Sequence, residues 1–162
     1  MKINIGKTQF RFYVSMLEKR VGVCSQKYDN PLEHIVLWDF DRFELLEIAT
    51  SLKYIQTKYK LPNIMIVQSS SKGSYHAYSF TARTLREVII ILSDTPQIDM
   101  TYLRLGMVRG YYTLRITPRK KDSKFRIVKV LWSKYPDEIS PLDVTTNKYL
   151  TSNKGGHNAK MV

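Results

Sequence analysis

Seven consecutive residues, Ile35-Val36-Leu37-Trp38-Asp39-Phe40-Asp41, constrain this chain more than any other stretch. The short apolar run reads as a buried β-strand. Side chains alternate along a strand, so Asp39 and Asp41 project from one face while Val36, Trp38 and Phe40 point the other way, into a helix-covered core. Two carboxylates side by side repel each other unless a proton or a cation lies between them. A divalent metal is the usual solution, and phosphoryl transfer the usual use. Asp41 also has a purely structural reading, because Asp41-Arg42-Phe43-Glu44 has the pattern of a helix N-cap. Asp39 has no such role, and a carboxylate inside an apolar strand is costly unless paired.

Around this strand the periodicity alternates. Phe10, Tyr13, Val14, Leu17 and Val21 have helical spacing, which predicts a short N-terminal helix over Gln9 to Val21, stopped by Gly22. Leu45, Ile48, Ala49, Leu52, Ile55 and Tyr59 form the inner stripe of a helix from Phe43 to Tyr59. Leu61-Pro62-Asn63 breaks it, and Ile64 to Val67 reads as a strand. Ser69 to Gly73 is a turn, with a strand from Ser74 to Phe80. Thr84 and Glu87 form a capping box that opens a helix to Leu92. Strands are predicted over Tyr102 to Val108, Tyr111 to Thr117 and Phe125 to Trp132, and from Ser133 the periodicity fades. The order from residue 35, β-α-β-β-α-β-β-β, predicts an α+β fold. It would be an RRM-like or ferredoxin-like antiparallel sheet with helices on one face and the other face free for ligands. One domain is expected over residues 1–132, with its sheet core over 33–132 and a C-terminal extension over 133–162.

Charge narrows the function classes. The formal net charge is +12. Residues 1–30 carry 6 basic and 2 acidic groups, and residues 101–162 carry 13 and 4, whereas residues 31–100 hold 7 basic against 8 acidic. Cations flanking a neutral centre that contains most of the acids suggest a polyanion held by the flanks while carboxylates act in the middle. No apolar run approaches the roughly 20 residues of a membrane span. The single cysteine, Cys24, cannot form an internal disulfide, and a reducing cytoplasm is the expected setting.

A second constellation is Ser71-Lys72-Gly73-Ser74-Tyr75-His76-Ala77-Tyr78. Alternation places Ser74, His76 and Tyr78 on one strand face beside a turn carrying Lys72. A hydroxyl, an imidazole and an ammonium near backbone N–H groups make a phosphate grip.

Together the two constellations resemble the archaeo-eukaryotic primases and primase-polymerases. In that family a hydrophobic strand ends in Asp-x-Asp or Asp-x-Glu, a Ser-x-His strand follows, and a third acid comes after a hydrophobic residue. Trp38-Asp39-Phe40-Asp41 is similar to the first motif, and Ser74-Tyr75-His76, preceded by Lys72-Gly73, to the second. Ile98-Asp99 stands for the third, followed by Tyr102, Arg104, Arg109 and Arg115, and the resemblance covers residues 33–130. It implies that Asp39, Asp41 and Asp99 hold Mg²⁺ or Mn²⁺. Lys72, Ser74 and His76 would then grip the triphosphate of an incoming nucleoside triphosphate, with Arg109 or Arg115 neutralising developing charge. Arg119, Lys120, Lys121, Lys124 and Arg126 would track a single-stranded DNA or RNA template by electrostatics. The implied activity is primer synthesis in DNA replication, with a helicase or a second primase subunit as partner and no membrane.

A reading from a different class is a non-catalytic single-strand-binding replication protein. Among the eleven tyrosines, Tyr102, Tyr111 and Tyr112 lie among arginines and would offer stacking platforms. A nicking initiator would need two nearby histidines, and His34, His76 and His157 are isolated in sequence.

Overall fold

The computed structural model describes residues 2–5, 8–11, 17–69, 73–116 and 125–152, with side chains over 21–69, 73–116 and 125–146. It divides into two compact units, one of Met1–Arg20 with Lys148–Val162 and the other of Val21–Asn147. In the first, β1 (Lys2–Ile5) and β2 (Thr8–Arg11) form an antiparallel pair.

The larger unit is an α+β fold. Its elements begin with β3 (Leu17–Lys27) from Val21 onward, then β4 (His34–Asp41), α1 (Leu45–Lys58), β5 (Ile64–Gln68) and β6 (Ser74–Arg83). They continue with α2 (Leu85–Ser93), α3 (Met100–Arg109), β7 (Thr113–Arg115), β8 (Arg126–Leu131) and β9 (Val144–Ser152) as far as Asn147. The sheet order is β7-β3-β4-β6-β5-β8, with β9 paired to β3, and every resolved pairing is antiparallel. Inserting β6 between β4 and β5 leaves those two parallel and joined through α1, the split β-α-β arrangement of ferredoxin-like sheets.

Helix α1 packs on β5 and β8, and α2 on β4 and β6. Lys58 and Tyr59 at the end of α1 both bond Asp94 at the end of α2, which ties the two helices together on one side of the sheet. Between them lies the core, where Trp38, Phe40, Ile48, Leu52, Ile55, Ile64, Ile66 and Ile91 are fully buried. Trp38 donates its indole N–H to Thr95 Oγ1 at 3.0 Å, and Thr95 in turn donates to the Ile91 carbonyl. The one polar group of the largest core side chain is thereby satisfied.

Three sequence expectations are corrected. The N-terminal helix over Gln9 to Val21 is absent from the described residues, where Thr8–Arg11 and Leu17–Lys27 are strands. The strand expected over Tyr102 to Val108 is helix α3, capped by Asp99 and ended by Gly110 in the left-handed conformation. Beyond Ser133, where no element was expected, the chain forms a 3₁₀ turn at Pro141–Asp143 and then β9. Periodicity misjudged these segments because short apolar runs fit either period, and the winner is set by what each must cover. For α3 that task is the part of β4 beyond its bridge to β3 at His34. The Leu37 carbonyl accepts from Tyr102 Oη and the Asp39 carbonyl from the Asp99 amide, so the helix start takes the place of a neighbouring strand.

Candidate active site

The antiparallel register of β4 and β6 sets Asp39 opposite His76 and Asp41 opposite Ser74. Directly opposed residues of such a pair share a face, so the two motifs, more than thirty residues apart, converge on the sheet side away from α1 and α2. The Asp39 carboxylate lies 3.6 Å from His76 Nε2 (Oδ1 to Nε2). The imidazole is buried, its Nδ1 is 3.4 Å from Tyr78 Oη, and its ring contacts Phe125. The cost of a carboxylate within an apolar strand is offset here by a cross-strand partner. Asp39 is partly exposed and Asp41 is exposed.

Asp41 is not the cap of α1. That position belongs to Glu44, which forms a capping box with Glu47. Between Asp41 and the helix the backbone is strained: Arg42 has φ +69°, a left-handed conformation uncommon for a residue with a side chain. Its amide and that of Phe43 both donate to the Gly73 carbonyl, at 2.7 and 3.2 Å. Gly73 itself has φ +82°, for which glycine is suited. The β4 and β6 ends are therefore fastened beside the paired Asp41 and Ser74, and such strain is concentrated where side chains are being aimed.

Electrostatics follow from this geometry. Burial, and then the Asp39 charge, push the Tyr78 phenol well above its ordinary range. Burial does the same for Tyr102, with the Asp39 charge again next in size. Both phenols stay neutral and act as packing and hydrogen-bonding groups.

The remaining expected site residues divide. Asp99 is brought beside Asp39 through the backbone bond between them, yet its carboxylate accepts from the Thr101 and Tyr102 amides as the N-cap of α3. Among the described residues no three His, Cys, Asp or Glu side chains gather as a metal centre. Arg109 is at the far end of α3, about 15 Å along the helix from Asp99, and the arginine-rich strand pair expected there is half helix. Arg115 lies on β7 opposite Gly22, with β3 between it and β4 in the sheet order. Arg126 is exposed at the start of β8. Lys72, Arg119, Lys120, Lys121 and Lys124 lie outside the described residues.

Two tyrosines expected to stack on bases are engaged otherwise. The Tyr102 and Tyr112 rings meet at 5.2 Å between centroids, and Tyr112 is buried with its hydroxyl donating to the Leu103 carbonyl. Sequence reading placed Tyr78 on the site's face but gave it no partner; its i+2 position after His76 was the available signal. Phe125 opens a strand in the sequence pattern, and nothing local to it announces a contact with residue 76.

Comparisons with protein-family models, with curated proteins and with solved structures returned no match.

Proposed function

We propose that this chain is a primase-type nucleotidyltransferase that extends a strand on a single-stranded template from nucleoside triphosphates. One observation carries the reading: the β4–β6 register opposes Asp39 to His76 and Asp41 to Ser74, so the acidic and Ser-x-His motifs form one patch. Asp39 and Asp41 are both accessible on that patch and chemically suited to Mg²⁺ or Mn²⁺. Asp99, spent on capping α3, does not fit as a third ligand in this arrangement.

When bound, the metal supplies positive charge that lowers the repulsion between an attacking oxygen and a polyphosphate. The chain's own part is to position. Asp39 and His76 hold each other across the ladder, and Ser74, partly exposed at the start of β6, presents a hydroxyl to a phosphate oxygen. The flanking cations hold the template by charge, with little sequence readout. The loss of Tyr102 and Tyr112 as stacking platforms favours this reading over a purely single-strand-binding module.

The test is incorporation of labelled nucleotide on a single-stranded template with and without Mn²⁺. Metal-dependent products that disappear in Asp39→Ala support the proposal. A folded wild-type protein that neither incorporates nor binds nucleoside triphosphate sinks it.

A further inference from the structure

On the same face as the Asp39–His76 pair, an apolar groove of about 380 Å³ opens, floored by Met65, Tyr78 and Phe80 and walled by Phe125, Ile127 and Val144. It adjoins the pair directly. The register runs Asp39, His76, Val67, Ile127 in one row across β4, β6, β5 and β8, and Tyr78 and Met65 are opposed in the next row. Two groove residues, Tyr78 and Phe125, touch the His76 ring itself, with centroids at 6.5 and 5.9 Å.

The polar and apolar halves are spaced to suit one kind of ligand. Ser74 and Tyr78 are four residues apart on one face of β6, which is about 13 Å. A hydroxyl and two accessible carboxylates at one end suit phosphates that carry a divalent cation, and aromatic and branched aliphatic walls at the other suit a flat, weakly polar ring. An extended nucleoside triphosphate has that polarity and that reach. We infer that the groove is a nucleobase pocket, and that the site recognises the base of a bound nucleoside triphosphate from the protein itself before any template pairs with it. The inference rests on the proposed function and adds to it a base subsite formed by the sheet. Phe80 and Tyr78 supply aromatic surface, and Met65 and Ile127 supply adaptable apolar walls. With few polar groups along the walls, the pocket gains from any base and discriminates weakly among them.

The experiment compares binding of ATP and of inorganic tripolyphosphate to the full chain by calorimetry, with Mn²⁺ and no template. Wild type, Ile127→Trp and Thr146→Trp are used. Both substituted residues line the groove and are exposed, so a larger side chain fills the groove without entering the core. The expected result is that wild type binds ATP on the order of tenfold to a hundredfold more tightly than tripolyphosphate, the gain of a stacked base. In both filled variants the ATP affinity falls to that of tripolyphosphate, which is itself unchanged. If wild type binds the two ligands equally, or if neither variant weakens ATP, the groove is not a base pocket while the phosphate site stands. If neither ligand binds wild type, the proposed function fails, and the inference with it. An apolar dye that enters the groove and is not displaced by ATP assigns the groove to some other apolar ligand and overturns the inference.

Discussion

Asp39 and His76 face each other across the β4–β6 ladder, carboxylate oxygen to ring nitrogen at 3.6 Å, although 37 positions separate them in the chain. The imidazole is almost wholly enclosed by Tyr78, Phe125 and the sheet, while the carboxylate is partly open to solvent. A ring with a carboxylate facing Nε2 and a phenol facing Nδ1 is held in a single orientation, and it fixes the partly open carboxylate in turn.

Breaking the pair from its two sides should give different outcomes. His76→Ala removes the charge-assisted partner that fixes the Asp39 carboxylate, so Mn²⁺-dependent nucleoside triphosphate affinity should fall about tenfold to a hundredfold with strand binding almost unchanged. Asp39→Asn keeps the shape and a hydrogen-bonding group, so thermal stability should change little while Mn²⁺-dependent nucleotide binding is lost. An Asp39→Asn protein that binds Mn²⁺ and nucleotide like wild type would remove the carboxylate from the site.

Template binding should be steeply salt-dependent. Residues 101–162 carry 13 basic against 4 acidic groups, and each phosphate neutralised releases counterions. Fluorescence anisotropy with a labelled single strand should show affinity dropping by orders of magnitude between about 50 and 200 mM salt. A flat salt response contradicts the polyelectrolyte mode of binding.

Gly106 should not tolerate alanine. A Cβ there would lie 2.0 Å from Cε1 of Tyr112, a buried ring whose hydroxyl bonds Leu103 on the same helix. Alanine's helix propensity, about 1 kcal/mol better than glycine's, is outweighed by overpacking, which costs about 1–3 kcal/mol and more where the ring cannot turn aside. Gly106→Ala should therefore lower the thermal midpoint by several degrees. A variant as stable as wild type would mean that α3 does not sit this close to Tyr112.

His34 makes stability depend on pH. Its Nδ1 is 2.9 Å from Ser25 Oγ, which also accepts the Tyr112 amide, and burial lowers its pKa below the ordinary value of 6.5. The unfolded chain therefore binds a proton more readily than the native one. The stabilisation is complete above about pH 6.5 and is lost as pH falls through the lower native value. His34→Gln lacks this titration, so its stability deficit relative to wild type should shrink between pH 7.5 and pH 5. Denaturant melts at the two pH values decide it, and an undiminished deficit at pH 5 refutes the assignment.

The sequence by itself determined the elements whose side chains carry a strict period. The 35–41 strand, the helix on Ile48, Leu52 and Ile55, and the Thr84–Glu87 capping box were all legible, because each pattern is a local consequence of one backbone geometry. It also showed that Asp39 shares a face with Asp41, and Ser74 with His76, since alternation needs no partner. What set those two faces side by side was tertiary: the split connection through α1 inserts β6 next to β4, and the register then pairs Asp39 with His76. Residues 100–109 were undecidable locally. They became helix because the carbonyls of Leu37 and Asp39 needed donors beyond the bridge of β4 to β3 at His34, and because Gly106 lets the helix close on Tyr112. The same step turned Asp99 from a free carboxylate into a cap. Periodicity reports which way a side chain points along its own element, whereas the group it meets depends on free energies shared between segments far apart in the chain.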